Sequence, residues 1–165
     1  MKVLITGGKS ALALKIAKAF TPHQIILADY GEIPNFSSTA YKFISLGEKN
    51  EDTIAHNLLN HCLDEDVDRV LPLHTFEIIA MCKAKVLFSE FNIDTLLPIE
   101  NALAPHFDIM AGTKFVNWAV FVKGEVVFAS FKDDKLFTYA KAAELSGAFY
   151  LNESTTVANL QLITI

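Results

Sequence analysis

Cations are few in this chain and arginine is nearly missing: 13 lysines accompany one arginine, Arg69, and the formal net charge is −5 over 165 residues. A general nucleic-acid binder needs clustered cations facing phosphates, and an anionic membrane surface asks for the same, so neither partner is expected. Cysteine is as scarce, with only Cys62 and Cys82. Two thiols inside apolar, helix-like stretches make no disulfide framework and are expected to be buried and reduced. No apolar run approaches the roughly 18 residues that would span a bilayer, and the first residues lack a charged region followed by a long apolar segment, so a cytoplasmic protein is expected. Charged residues make up only 20%. What is abundant is apolar: 52% hydrophobic residues, including 13 phenylalanines, exclude a disordered chain and suggest more apolar surface than one protomer easily hides. A homo-oligomer or another partner is therefore expected.

The residue order reads as alternating strands and helices over the first two thirds. Residues 2–6 form a β-type run that enters Gly7-Gly8-Lys9-Ser10, and residues 11–20 carry apolar side chains at helical spacing. Pro22 stops that helix, and residues 24–29 form a second strand that is nearly all apolar, as in parallel sheets covered on both faces. A loop containing Gly31 and Pro34 leads to a strand at 41–46. Asn50 or Asp52 can cap a helix running to about Leu63, with Ile54, Leu58, Leu59 and Cys62 on one stripe. A strand at 68–73, a helix at 75–91, a strand at 94–97 and a helix near 99–110 complete the series. Right-handed crossovers then predict a Rossmann-like, doubly wound parallel sheet of order 3-2-1-4-5.

From Gly112 the pattern changes. Residues 117–122, Lys123-Gly124 and residues 125–131 spell a β-hairpin, so the expected division is a Rossmann-like domain at 1–112 and a β-rich appendage at 113–165. Residues 132–165 read as one or two more short strands, or a strand and a helix. Asp133-Asp134, between Lys132 and Lys135, reads as a solvated turn.

Chemistry is expected where the strands end. The turn Gly7, Gly8, Lys9, Ser10 sits where an open α/β sheet receives a phosphate or nucleotide on backbone N–H groups, and Asp29, twenty residues on, stands where an acid takes ribose hydroxyls. The fingerprint is incomplete, since Lys9 and Leu12 occupy the later glycine positions, and the glycines can equally serve only a tight turn. A P-loop is excluded by Val3, which stands where its first glycine belongs. No tyrosine has a lysine four residues later, so hydride transfer of the short-chain-dehydrogenase type is not expected. His74 and Glu77 follow the fourth strand and can meet a substrate amine or carboxylate; alternatively His74 caps the helix and Glu77 favours its first turn. No metal is assigned, because His56, His61, Cys62, Cys82 and His106 lack the spacing of a closed zinc site.

These residues resemble a known pattern. Val-Leu-Ile-Thr-Gly-Gly at 3–8, Ile-Leu-Ala-Asp ending at Asp29, the Pro34 loop with its serines, and Val-Leu-Pro-Leu-His-Thr-Phe-Glu ending at Glu77 resemble the pre-ATP-grasp domain of ATP-grasp ligases. The nearest flavour is that of carbamoyl-phosphate-synthase large-chain-like proteins and other carboxylate-amine, carbon–nitrogen ligases. In that family this domain packs against the ATP-grasp module and lines part of the acceptor-substrate site, while ATP binds in the module that follows. Residues 117–152 resemble a hairpin late in that module. Only about twenty residues separate Leu97 from Trp118, where the family needs a far longer stretch, and Lys114 alone could match the lysine that opens it. No Glu-x-Asn pair after residue 152 is spaced to hold magnesium.

The resemblance therefore implies a pared-down relative, not catalytic by itself and without ATP on this chain alone. Such a protein would bind a small ligand or serve a separately encoded ATP-grasp partner, and the apolar hairpin 117–131, with Trp118, Phe121, Phe128 and Phe131, would supply a homo-oligomer interface. The alternative is a nucleotide- or NAD(P)-binding Rossmann protein using Gly7 to Ser10 and Asp29. A small enzyme with His74 and Glu77 as acid–base pair is a third reading, with no nucleophile or metal to name its reaction.

Overall fold

A computed structural model describes residues 1–34, 38–107, 117–151 and 160–165. Its contacts divide the chain into two units, one comprising Met1–Thr95 with Thr164–Ile165, the other Leu96–Ile163. The boundary expected at 112, and Lys114, lie outside the described residues.

The first unit is a five-stranded, all-parallel sheet in the order 3-2-1-4-5, as the residue order predicts. Its strands are β1 (Lys2–Ile5), β2 (Gln24–Asp29), β3 (Tyr41–Ser45), β4 (Arg69–Leu71) and β5 (Asp94–Thr95). Val3, Leu4 and Ile5 of β1 and Ile25 to Ala28 of β2 are all buried, because helices cover both faces of a parallel sheet and no polar face is needed. β4 stops at Leu71, one residue before Pro72, which has no N–H to give a ladder. β5 is two residues long, shorter than the apolar run 94–97 suggests; Leu96 and Leu97 are buried outside the sheet.

Helix α1 (Ala11–Ala17) begins where the Ser10 hydroxyl accepts the Ala13 N–H at 3.0 Å, and a 3-10 turn at Lys18–Phe20 replaces its expected last turn. Asn50 caps a 3-10 turn, Glu51–Thr53, through the Asp52 N–H, and α2 (Ile54–Asp64) follows with Ile54, Leu58, Leu59 and Cys62 buried on one stripe. The helix expected over 75–91 is two helices, α3 (Thr75–Lys83) and α4 (Lys85–Glu90). Ala84 breaks it with φ −85° and ψ 0°, and no glycine or proline announces the break. Cys62 and Cys82 are both buried and unbridged. Among the described residues no helix is long and apolar enough to cross a membrane.

The second unit carries an antiparallel sheet of order 7-6-8-9, built from β6 (Asn117–Val122), β7 (Glu125–Ala129), β8 (Gly147–Leu151) and β9 (Leu160–Leu162). The expected hairpin is β6 and β7, turning at Lys123 and Gly124, whose φ values of 49° and 80° are those of a tight primed turn. β6 lies between β7 and β8, so Trp118 and Phe121 are buried within the unit and β7 forms the sheet edge. Phe121 meets Phe149 across the sheet, with ring centroids 6.2 Å apart. Helix α5 (Glu100–Phe107) packs on β9, where a buried His106 ring nitrogen lies 2.8 Å from the Leu160 carbonyl oxygen. The Asp133-Asp134 pair is not a free turn: the Asp133 carboxylate accepts the Lys135 and Leu136 N–H groups and starts α6 (Asp134–Ala142). The last third therefore contains both a helix and two further strands.

Candidate functional site

The strand order 3-2-1-4 brings the carboxyl ends of β2, β1 and β4 side by side, so Asp29, Thr6 and His74 become neighbours although far apart in sequence. At the end of β2 the Asp29 carboxylate is almost wholly buried and takes three donors. Lys9 N–H reaches Oδ2 at 3.0 Å, Tyr30 N–H reaches Oδ1 at 2.8 Å, and His74 Nε2 lies 3.2 Å from Oδ1. A carboxylate only accepts, so the nitrogen His74 turns to Asp29 is the one that carries the proton. Lys9 Nζ closes over this group by bonding the Tyr30 carbonyl oxygen at 2.8 Å.

Glu77 lies in the first turn of α3, with no exposed surface. Its carboxylate accepts the Thr6 hydroxyl on Oε2 and the Tyr30 phenol on Oε1, the latter at 2.9 Å. Thr6 is filled on both sides, since its oxygen also accepts the Leu73 N–H at 2.7 Å. Burial pushes the Glu77 carboxyl up to about 7; the Thr6 and Tyr30 hydrogen bonds oppose that rise and the nearby Asp29 charge adds a little to it. The Tyr30 phenol is pushed well above its usual value, first by burial and then by the Glu77 and Asp29 charges. Glu77 is thus a buried carboxyl close to the carboxyl edge of the parallel sheet, the edge at which open α/β sheets receive ligands.

Beside these acids stands a cluster of rings. Tyr30 lies 5.6 Å from His74 and 5.4 Å from Phe76 between centroids, and His74 stacks on Phe76 at 4.9 Å. The Lys49 ammonium sits 4.0 Å above the Phe76 ring, a cation–π contact, and also pairs with Glu51.

The glycine turn is placed as expected but is differently used. The N–H groups of Gly8, Lys9 and Ser10 go to the Ala28 carbonyl, the Asp29 carboxylate and the Gly7 carbonyl, so the three amides a pyrophosphate would want have partners within the chain. A side chain at Gly8 would come within 2.9 Å of the Leu27 Cβ and 3.0 Å of the Leu27 backbone, which explains that glycine by the close approach of turn and strand. Gly7 has φ 65°, and a side chain there would run into the Ile165 side chain. Ser10 serves as the cap of α1.

Of the sequence candidates, then, Lys9, Asp29, His74 and Glu77 converge on one site, while Gly7, Gly8 and Ser10 shape the turn beside it. His74 holds the N-cap position of α3, yet its side chain makes no capping bond and turns to Asp29 instead. Glu77 does stand in the first turn of α3, and it is fully buried there. Thr6, Tyr30, Phe76 and Lys49 escaped sequence reasoning. Thr6, Tyr30 and Phe76 were within reach, because each adjoins a residue that the strand order already places at the carboxyl edge; nothing local marks Lys49. Among the described residues no group of three His, Cys, Asp or Glu side chains is placed to hold a metal ion. Set against protein-family models and against curated proteins, the chain matches none.

Proposed function

We propose that the chain is a non-catalytic, small-ligand-binding relative of the pre-ATP-grasp domain, and that Lys9, Asp29, Tyr30, His74 and Glu77 at the carboxyl edge of β1, β2 and β4 form its site. The observation that carries this is their convergence: one hydrogen-bonded group links three strand ends through the Asp29 and Glu77 carboxylates. Its chemistry suits a small amino or carboxylic acid, with the Lys49 ammonium over the Phe76 ring, the Lys9 ammonium 4.0 Å from the Asp29 carboxylate, and the Glu77 carboxyl beside the Tyr30 phenol. A dinucleotide is the weaker reading, since Asp29 and the turn amides that would hold one are engaged within the chain. Any ATP-dependent chemistry would belong to a separately encoded partner. A partner contact, including one with a second copy, would use the β7 edge with Val126 and Phe128, because Trp118 and Phe121 are inside the sheet.

A thermal-shift panel tests the reading, using ATP, ADP and AMP with and without Mg²⁺, NAD(H), NADP(H), and a set of amino and carboxylic acids. A ligand at about 100 times its dissociation constant adds about 2.7 kcal/mol, a shift of several degrees for a domain of this size. The expected result is a shift with an amino or carboxylic acid that disappears in His74→Ala. A shift confined to NAD(P) and lost in Asp29→Ala would replace the proposal with the cofactor reading.

A further inference from the structure

The partners of Glu77 differ in what they can give back to it. Its Oε2 takes the Thr6 hydroxyl, its Oε1 takes the Tyr30 phenol at 2.9 Å, and the His74 backbone N–H, at the start of its own helix, also favours its charged form. An N–H only donates, so His74 offers nothing to a proton carried by the carboxyl. Thr6 is fully buried, and its oxygen already accepts the Leu73 N–H at 2.7 Å. Among the described residues the Thr6 hydrogen has no acceptor but Glu77 Oε2. A proton on Oε2 would therefore strand that hydrogen in the interior, which buried polar groups avoid. The Tyr30 phenol is under no such constraint. Its side chain is only half-buried, its oxygen can accept as well as donate, and its hydrogen can turn to water.

We propose that Glu77 and Tyr30 form a pH-sensitive switch at the carboxyl edge of the parallel sheet. With Glu77 charged, the phenol donates to it and turns a lone pair to the edge. With a proton on Glu77 Oε1 the bond reverses, and the phenol turns its O–H outward instead. One side chain thus presents an acceptor in the first state and a donor in the second. The switch belongs to the edge itself and needs no ligand of the kind proposed above.

The surrounding groups leave Glu77 as the one that turns it. Tyr30 keeps its own proton, because burial first, and then the Glu77 and Asp29 charges, push its phenol well above the usual value. Asp29, on β2, is held by the Lys9 and Tyr30 N–H groups and the His74 ring, with the Lys9 ammonium 4.0 Å away, and its charge is the smallest of the influences on Glu77. Lys49 is held over Phe76 and against Glu51. Lys2 and Arg69 stand at the amino ends of β1 and β4, away from this edge. The helices packed against α3 carry His56, His61, Cys62 and Asp64 on α2 and Lys85 and Glu90 on α4, and none of these bears on Glu77.

Carbon-13 NMR of the whole chain, labelled at tyrosine Cζ and glutamate Cδ and assigned through bonds from the backbone amides, reads both partners as pH is varied across neutrality. Burial raises the Glu77 carboxyl to about 7, so its Cδ signal should titrate there. The expected result is a Tyr30 Cζ signal that steps downfield as pH rises, with the same midpoint, because donation to a carboxylate leans a phenol toward phenolate. In Glu77→Gln the step should vanish. A Glu77 Cδ signal that titrates while Tyr30 Cζ stays flat would overturn the proposal, since the proton would then lie on the Thr6 side. A Tyr30 step that persists in Glu77→Gln would also overturn it, for the step would belong to another group, His74 foremost. So would a Glu77 carboxyl that does not titrate near neutrality, an outcome that the wild type alone can show.

Discussion

Replacing Glu77 by glutamine should change how the first unit responds to pH more than how stable it is in acid. The Glu77 carboxyl has no exposed surface and is raised from its ordinary 4.5 to about 7, because burial penalises its charge more than the Thr6 and Tyr30 hydroxyls repay. The folded state therefore binds this proton more tightly than the unfolded chain. Between pH 4.5 and 7 the folded protein holds more protons, so stability falls as pH rises; the stabilisation is complete below 4.5 and lost as pH climbs through 7. At about 1.4 kcal/mol per pH unit, the full cost of the charged form is about 3 kcal/mol once pH exceeds 8. Glutamine is close in shape and cannot ionise. Its carbonyl can accept one hydroxyl, and its amide can donate to the other, since a hydroxyl both gives and takes.

The difference in unfolding free energy, Glu77→Gln minus wild type, should accordingly rise by about 3 kcal/mol from pH 4.5 to 8.5. Subtracting the wild type removes every other titrating group common to both proteins. Urea unfolding followed by far-ultraviolet circular dichroism at half-unit pH steps measures it. A difference that stays flat across the range, or that falls with pH, would refute the reasoning, for it would mean that the carboxyl is ionised at no net cost.

Gly8→Ala should lower the stability of the first unit by about 1–3 kcal/mol, because the added Cβ meets the Leu27 backbone at 3.0 Å; an unchanged urea midpoint would show that the turn can shift. Gly124→Ala combines a φ of 80° with a Cβ 2.7 Å from the Lys141 Cα, so a loss of about 2–4 kcal/mol is expected in the transition followed by Trp118 fluorescence. Ser10→Ala removes the cap on the Ala13 N–H and should cost about 1 kcal/mol by urea unfolding, with little change in ligand response. Cys62, buried on α2 with its thiol pushed up to about 12 by desolvation, should resist a thiol-labelling reagent at pH 8 in the native protein and label fully in urea, as peptide mass spectrometry can show.

Much of the fold was legible because its signals are local. Apolar runs closed by glycine and proline, with Asn50 as a helix start, and right-handed crossovers set the first parallel sheet and its order, and Lys123-Gly124 set the hairpin; that Ser10 caps α1 came only with the structure. The break at Ala84 was not legible, since alanine favours helix and no residue type there opposes it. A helix after residue 132 was one of two open alternatives, and its start was misplaced, because Asp133 turns its side chain back to two amides rather than out to water.

The candidate site divides in the same way. Position along the strands was enough to single out Lys9, Asp29, His74 and Glu77, because the carboxyl edge of a doubly wound sheet follows from strand order alone. What those residues do there was decided by tertiary structure. Whether Asp29 meets a ribose or a histidine, whether Glu77 faces water or the Thr6 and Tyr30 hydroxyls, and whether Gly7 lies open or under Ile165 are matters of contact between segments up to 158 residues apart. A residue's type and spacing carry its own conformational preference, whereas burial and hydrogen-bond partners belong to pairs of residues, and only the folded chain forms the pairs.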